Sequence, residues 1–160
     1  MPKQQMSKVY NFKTVQVLPV SMEKAWDFFS SPSNLSTITP AKLQFRIISV
    51  HQGEDMYPGQ LIEYTVNPIL GIPLYWMTEI THVEHHKYFI DEQRFGPYSF
   101  WHHQHLFRRV ADGIEMTDIV HYKLPFGFIG DIVQRLFVQN RLKEIFNYRY
   151  AVVGKKWPVN

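Results

Sequence analysis

Residues 96–127, GPYSFWHHQHLFRRVADGIEMTDIVHYKLPFG, read as two β-strands joined by a tight turn at Asp112-Gly113. Asp-Gly supplies the positive φ angles that a two-residue hairpin turn needs. Setting Ala111 against Ile114 places Phe107 opposite Asp118, His105 opposite Val120, His103 opposite Tyr122 and Trp101 opposite Leu124. Side chains alternate along strands, so all eight share one face. Trp, two His, Phe, Asp, Val, Tyr and Leu together are too polar for a plain core and too apolar for a solvated surface. Such a face fits the wall of a pocket.

The strand before it, Tyr88 to Arg94, carries Phe89, Asp91 and Gln93 on alternate positions. If the turn at Gly96-Pro97 sets Gln93 against Trp101, then Asp91 faces His103 and Phe89 faces His105, again on the pocket face. A carboxylate accepting from an imidazole fixes its tautomer and raises its pKa, and Asp118 can serve the neighbouring histidine.

Upstream, Lys8 to Leu18 is a first strand that stops at Pro19. Ser21 caps a helix whose buried stripe is Met22, Ala25, Trp26 and Phe29. Ser31-Pro32 opens a second short helix that Pro40 ends. Strands follow at Leu43 to Val50, Gln60 to Asn67 and Leu74 to Val83, and the short turns between strands force antiparallel neighbours. Loop parity then gathers Leu70, Phe95, Tyr98, Phe126 and Phe128 at one end, an apolar grouping that suggests a cavity mouth or a surface for transient membrane or protein contact. Phe128 to Lys156 is the one long helix. Its apolar stripe changes face around Val138 to Asn140, so the first half is expected to roof the mouth and the second to lie across the sheet. Arg149 falls on that stripe and requires a carboxylate or carbonyl partner.

A length of 160 residues fits one domain, 1–160, with room for a core and an internal cavity. The net charge of +3 comes without a Lys/Arg run, which argues against nucleic acid. No cysteine is present, which excludes disulfides and thiolate chemistry. The N-terminal stretch lacks a signal-peptide apolar core and no run approaches a membrane span, so a cytoplasmic location is expected. Six of the eight histidines lie between His82 and His105. His85 and His86 in the turn EHHK, and the outward His51, His102 and His121, are expected in solvent.

The order of one strand, two small helices, six antiparallel strands and a long helix is that of the α+β helix-grip fold. The chain resembles the SRPBCC superfamily, which includes START lipid-transfer domains, Bet v 1-like proteins and polyketide cyclases. It is most similar to the ligand-binding SRPBCC group of bacterial proteins, through Phe29-Ser30-Ser31-Pro32, Asn34-Leu35, Ile38-Thr39-Pro40, Asp91-Glu92-Gln93, Gly96-Pro97-Tyr98, Trp101, His103, His105, Phe107, Asp118, Tyr122, Leu124-Pro125-Phe126-Gly127 and Ile145 to Arg149. The resemblance implies a curved sheet of about seven strands gripping the last helix around an elongated apolar cavity. It implies no single activity, because fold does not fix function.

The expected function is therefore binding of a hydrophobic or aromatic small molecule or lipid. Asp91, Gln93, His103, His105, Asp118 and Tyr122 are the polar anchors, and Trp76, Phe89, Trp101, Phe107, Met116 and Val120 are the walls. The alternative is a small cyclase, dehydratase or hydrolase using His103, His105 and Asp91 as general acid and base, although no nucleophile or oxyanion device is visible. His103-x-His105 with Asp91 also has the count of a two-His-one-carboxylate site. That spacing arises easily by chance in a chain with eight histidines, so no metal and no cofactor are expected. Replacing His103 by Phe is expected to move the melting temperature by only a few degrees, since an apolar isostere can replace a satisfied buried polar group at little cost.

Overall fold

The computed structural model describes residues 8–49, 55–69 and 71–158; for Pro68, Ile69 and Phe128 only the backbone is described. Leu70, of the apolar loops, and His51 lie outside the described residues. One antiparallel sheet of seven strands runs in the order β1-β7-β6-β5-β4-β3-β2. The strands are β1 (Tyr10–Leu18), β2 (Arg46–Ile47), β3 (Leu61–Ile69), β4 (Ile72–Glu84), β5 (Tyr88–Phe95), β6 (Phe100–Val110) and β7 (Gly113–Lys123). Helix α1 (Met22–Phe29) begins at Ser21, whose hydroxyl accepts from the Lys24 amide, and it buries Met22, Ala25, Trp26, Phe28 and Phe29. The second predicted helix is a single 3-10 turn at Pro32–Leu35. A further 3-10 turn at Ala41–Leu43, ended by Gln44 in the left-handed region, replaces the start of the predicted strand and leaves β2 only two residues long.

The β6–β7 hairpin turns one residue earlier than expected. Val110 pairs with Gly113, so His105 faces Asp118, His103 faces Val120, Trp101 faces Tyr122 and Phe107 faces Met116, two residues displaced from the predicted register. The turn consists of Ala111-Asp112, and Asp112 does not take a positive φ, whereas Gly113 has φ 131°. A Cβ on Gly113 would stand 2.1 Å from the Leu18 carbonyl oxygen, so the glycine serves a close approach to β1. A displacement of two preserves side-chain parity, and the pocket face keeps its membership.

The C-terminal helix comprises α2 (Gly127–Val133), one π turn (Gln134–Val138) and α3 (Gln139–Lys156). A π turn adds a residue to one helical turn and rotates the stripe that follows. This is the physical form of the change of face expected near Val138. Along α3, Leu142, Phe146 and Val153 are buried, so the second half lies against the sheet as predicted. The first half does not form a roof: Ile129, Ile132, Leu136 and Phe137 are all more than half exposed.

Candidate functional site

Alternation along β5, β6 and β7 brings Asp91, His103, His105 and Asp118 to one face of the sheet. The predicted pairings of Asp91 with His103 and of Phe89 with His105 are present. The two imidazoles lie side by side, centroids 3.7 Å apart, each between both carboxylates. On one side, His105 Nε2 is 2.8 Å and His103 Nδ1 is 3.4 Å from Asp91 Oδ2. On the other, His103 Nε2 and His105 Nδ1 are each 2.9 Å from Asp118 Oδ1, although the His105 contact lacks hydrogen-bond alignment. Trp101 Nε1 donates to Asp91 Oδ1 at 3.4 Å. Arg149 Nη1, reaching down from α3, is 3.5 Å from Asp118 Oδ1 and supplies the carboxylate partner that its place on an apolar stripe required.

His103, His105 and Asp118 are at most 6% exposed, so burial opposes every charge here. For His103, burial disfavours the imidazolium, but the charge of Asp91 and the bond to Asp118 outweigh it and lift its pKa to about 9. Burial likewise acts to raise Asp91 and Asp118, and it is overcome: His103 and His105 hold both carboxyls well below the usual range, with Arg149 assisting at Asp118. Two imidazoles and one guanidinium thus surround the two carboxylates.

Beside this cluster lies a cavity of about 170 Å³. Its wall includes Ile62, Tyr64 and Val66 of β3, Trp76, Thr78 and Ile80 of β4, Phe89 and Asp91 of β5, and Trp101, His103 and His105 of β6. The two 3-10 turns contribute Pro32, Leu35 and Leu43, and α3 closes it with Leu142, Ile145, Phe146 and Arg149. Six of the residues singled out from sequence, Trp76, Phe89, Asp91, Trp101, His103 and His105, therefore line one cavity.

The others are placed elsewhere. Gln93 is engaged by the hairpin: its amide donates to the Tyr98 carbonyl at 2.7 Å and accepts from the Tyr98 amide at 3.1 Å. Phe107 and Met116 belong to the core under α1, Val120 and Tyr122 to the core under α3. Asp118 and Met116 border a smaller void shared with Thr14, Gln16, Arg149 and Tyr150. Tyr98 packs among Trp76, Trp101 and Tyr122. Phe95 and Phe126 are 62% and 80% exposed and do not line the cavity. Of the outward histidines, His102 bonds Glu92 at 2.7 Å and His121 bonds Asn11 at 2.8 Å, while the rings of His85 and His86 lie edge-on to Trp26.

The walls from β3 and α3 were missed by the sequence reading. The alternation Ile62, Tyr64, Val66 carries the signal for the first, and the helical spacing of Leu142, Ile145, Phe146 and Arg149 the signal for the second.

No family model and no curated protein matches the chain. Solved structures do. A protein from Arthrobacter aurescens superposes with a TM-score of 0.68 at 14% identity, covering 94% of this chain and 88% of that one. An uncharacterized protein from Rhizobium leguminosarum gives 0.67 at 12% identity, covering 94% and 97%. Major latex-like protein 151 from Panax ginseng gives 0.67 at 11% identity, covering 94% and 99%. Identities this low speak to fold alone, and on that ground, with the seven-stranded antiparallel sheet and the long C-terminal helix, the chain carries the helix-grip fold of SRPBCC and Bet v 1-like proteins.

Proposed function

We propose that the chain binds a hydrophobic or aromatic small molecule in the cavity between β3–β6 and α3, with Asp91, His103, His105 and Arg149 as its polar anchors. The observation that carries this reading is the contact of an apolar cavity with a buried, ion-paired cluster. An apolar cavity of roughly 150 Å³ takes up benzene. About 170 Å³ therefore suits a ring system or a short acyl segment, and a longer lipid requires the wall to move. Trp76 Nε1 and Arg149 Nε are buried with no hydrogen-bond partner among the described residues, and both side chains line the cavity. Orphaned donors cost on the order of 1–3 kcal/mol each, so a ligand bearing oxygen acceptors recovers energy that a pure hydrocarbon does not.

Access is assigned to the side formed by the 3-10 turns and α3, where unpaired segments open at lower cost than strands. The exposed Phe95, Phe126, Ile129, Leu136 and Phe137 support a separate role for the apolar end, as the surface for transient membrane or protein contact. Among the described residues no helix is long and apolar enough to cross a membrane.

Native mass spectrometry of the purified protein tests the reading. A bound small molecule, lost when Ile145→Trp fills the cavity, is expected. Ligand-free protein that takes up no aromatic or acyl probe overturns it. A second reading, acid–base catalysis, is favoured by one observation: His103, a titratable group bonded to Asp118 at 2.9 Å, stands on the wall of an apolar cavity. Turnover of polyketide-like or ester substrates, abolished by His103→Ala, would establish it.

A further inference from the structure

We propose that Asp91, His103 and His105 form a binding site for a first-row divalent transition-metal cation, opening toward the cavity. The sequence spacing argues against this on chance alone, and the geometry reverses the balance. Ligand atoms of these three residues lie within 4.8 Å of one another. His105 Nε2 and His103 Nδ1 both converge on Asp91 Oδ2, at 2.8 and 3.4 Å. Donors that surround one cation at about 2.0–2.2 Å are themselves about 3–3.5 Å apart, a spacing close to that of both imidazole nitrogens from Asp91.

The opposite ring nitrogens face a second carboxylate. His103 Nε2 and His105 Nδ1 are both 2.9 Å from Asp118 Oδ1. When a cation takes the Asp91 side, the ring protons are left on the Asp118 side, where His103 Nε2 already has a hydrogen bond and His105 Nδ1 has a carboxylate oxygen within reach. Imidazole ligands characteristically turn their second N–H to a carboxylate in this way, which orients the ring and strengthens it as a ligand. Asp118 is in turn contacted by Arg149 at 3.5 Å, and Trp101 Nε1 steadies Asp91 through Oδ1. His103 and Asp91 therefore each have a hydrogen-bonded outer partner, and Asp118 stands within reach of His105.

The two carboxylate corners are not equivalent. Arg149 stands at the Asp118 corner, and Asp118 does not line the cavity. Among the described residues, Asp91 is ion-paired with the two imidazoles alone, and the three residues all line the cavity. A cation is therefore assigned to Asp91, with its remaining coordination positions facing the cavity. Two imidazoles and one carboxylate suit zinc, cobalt, iron or copper better than calcium or magnesium, which take oxygen ligands. The cation brings two positive charges to a corner that holds one carboxylate. That favours an anionic oxygen, from hydroxide or a bound organic acid, as the completing ligand.

The test uses the full chain, stripped with a chelator and titrated with Co²⁺, read by visible d–d absorption and calorimetry without any organic ligand. One equivalent is expected, with at least tenfold weaker binding in Asp91→Asn and in His105→Gln and none of that loss in His85→Ala/His86→Ala. X-ray absorption of the wild-type zinc form, which needs no variant to fold, is expected to show two imidazoles in the first shell. Absence of a one-to-one complex, binding that survives Asp91→Asn, loss in the His85/His86 variant, or a shell without two imidazoles each overturns the assignment. Because the readout involves no organic ligand, failure here leaves the cavity-binding reading to be judged on its own.

Discussion

His103 is held between two carboxylates, and that placement sets how stability depends on pH in the metal-free protein. Its folded pKa of about 9 lies above the ordinary 6.5, so its contribution is complete below pH 6.5 and is lost as pH rises toward 9. Asp91 and Asp118 are shifted down, so their contributions are present above the ordinary carboxylate range and are lost as pH falls through it. The melting temperature is expected to fall between pH 6.5 and 9, and to fall less steeply in His103→Gln; a parallel slope in that variant would show that another group is responsible. The same contacts correct the expectation for His103→Phe. Removing one of two cationic partners leaves buried carboxylates undercompensated, which costs roughly 3–5 kcal/mol, or on the order of 10 °C in a domain of this size. Sequence could show which residues share a face, because parity alone determines that. It could not show that each imidazole touches both carboxylates, since that depends on a register set by Gly113 against Leu18 and on Arg149 arriving from α3.

The C-terminal helix divides at its π turn into halves that differ energetically. Leu142 is 3% exposed between the sheet and the cavity, and Leu142→Ala is expected to cost about 2–5 kcal/mol in denaturant unfolding. Leu136, 60% exposed in the π turn, is expected to shift stability by no more than about 0.5 kcal/mol when changed to Ser. Comparable losses at both positions would mean that Leu136 is packed in the folded protein. A change of face was legible near Val138, because apolar spacing at 3.6 residues breaks there; that Ile129, Ile132 and Leu136 face outward was not, since an apolar stripe does not name its partner. The short β2 was illegible for a related reason. Leu43 to Val50 has strand composition, yet Leu43 turns inward from a 3-10 turn to line the cavity, and only Arg46 and Ile47 pair.

The helix-grip fold was readable because strand lengths, turn positions and one late amphipathic helix leave few antiparallel arrangements. The cavity was readable only in part. Its β5 and β6 walls carry unusual residues, whereas its β3 and α3 walls are ordinary aliphatic and aromatic positions that declare themselves only when the sheet curls toward the helix. The most direct test is long-range ¹H–¹⁵N NMR of the histidine rings during titration with phenol, indole and 2-naphthol. If these rings occupy the cavity, the His103 and His105 signals shift saturably while those of His82, His102 and His121 stay in place. No saturable movement of His103 and His105 with any of the three, in protein that remains folded, would contradict a ligand-binding cavity at this cluster.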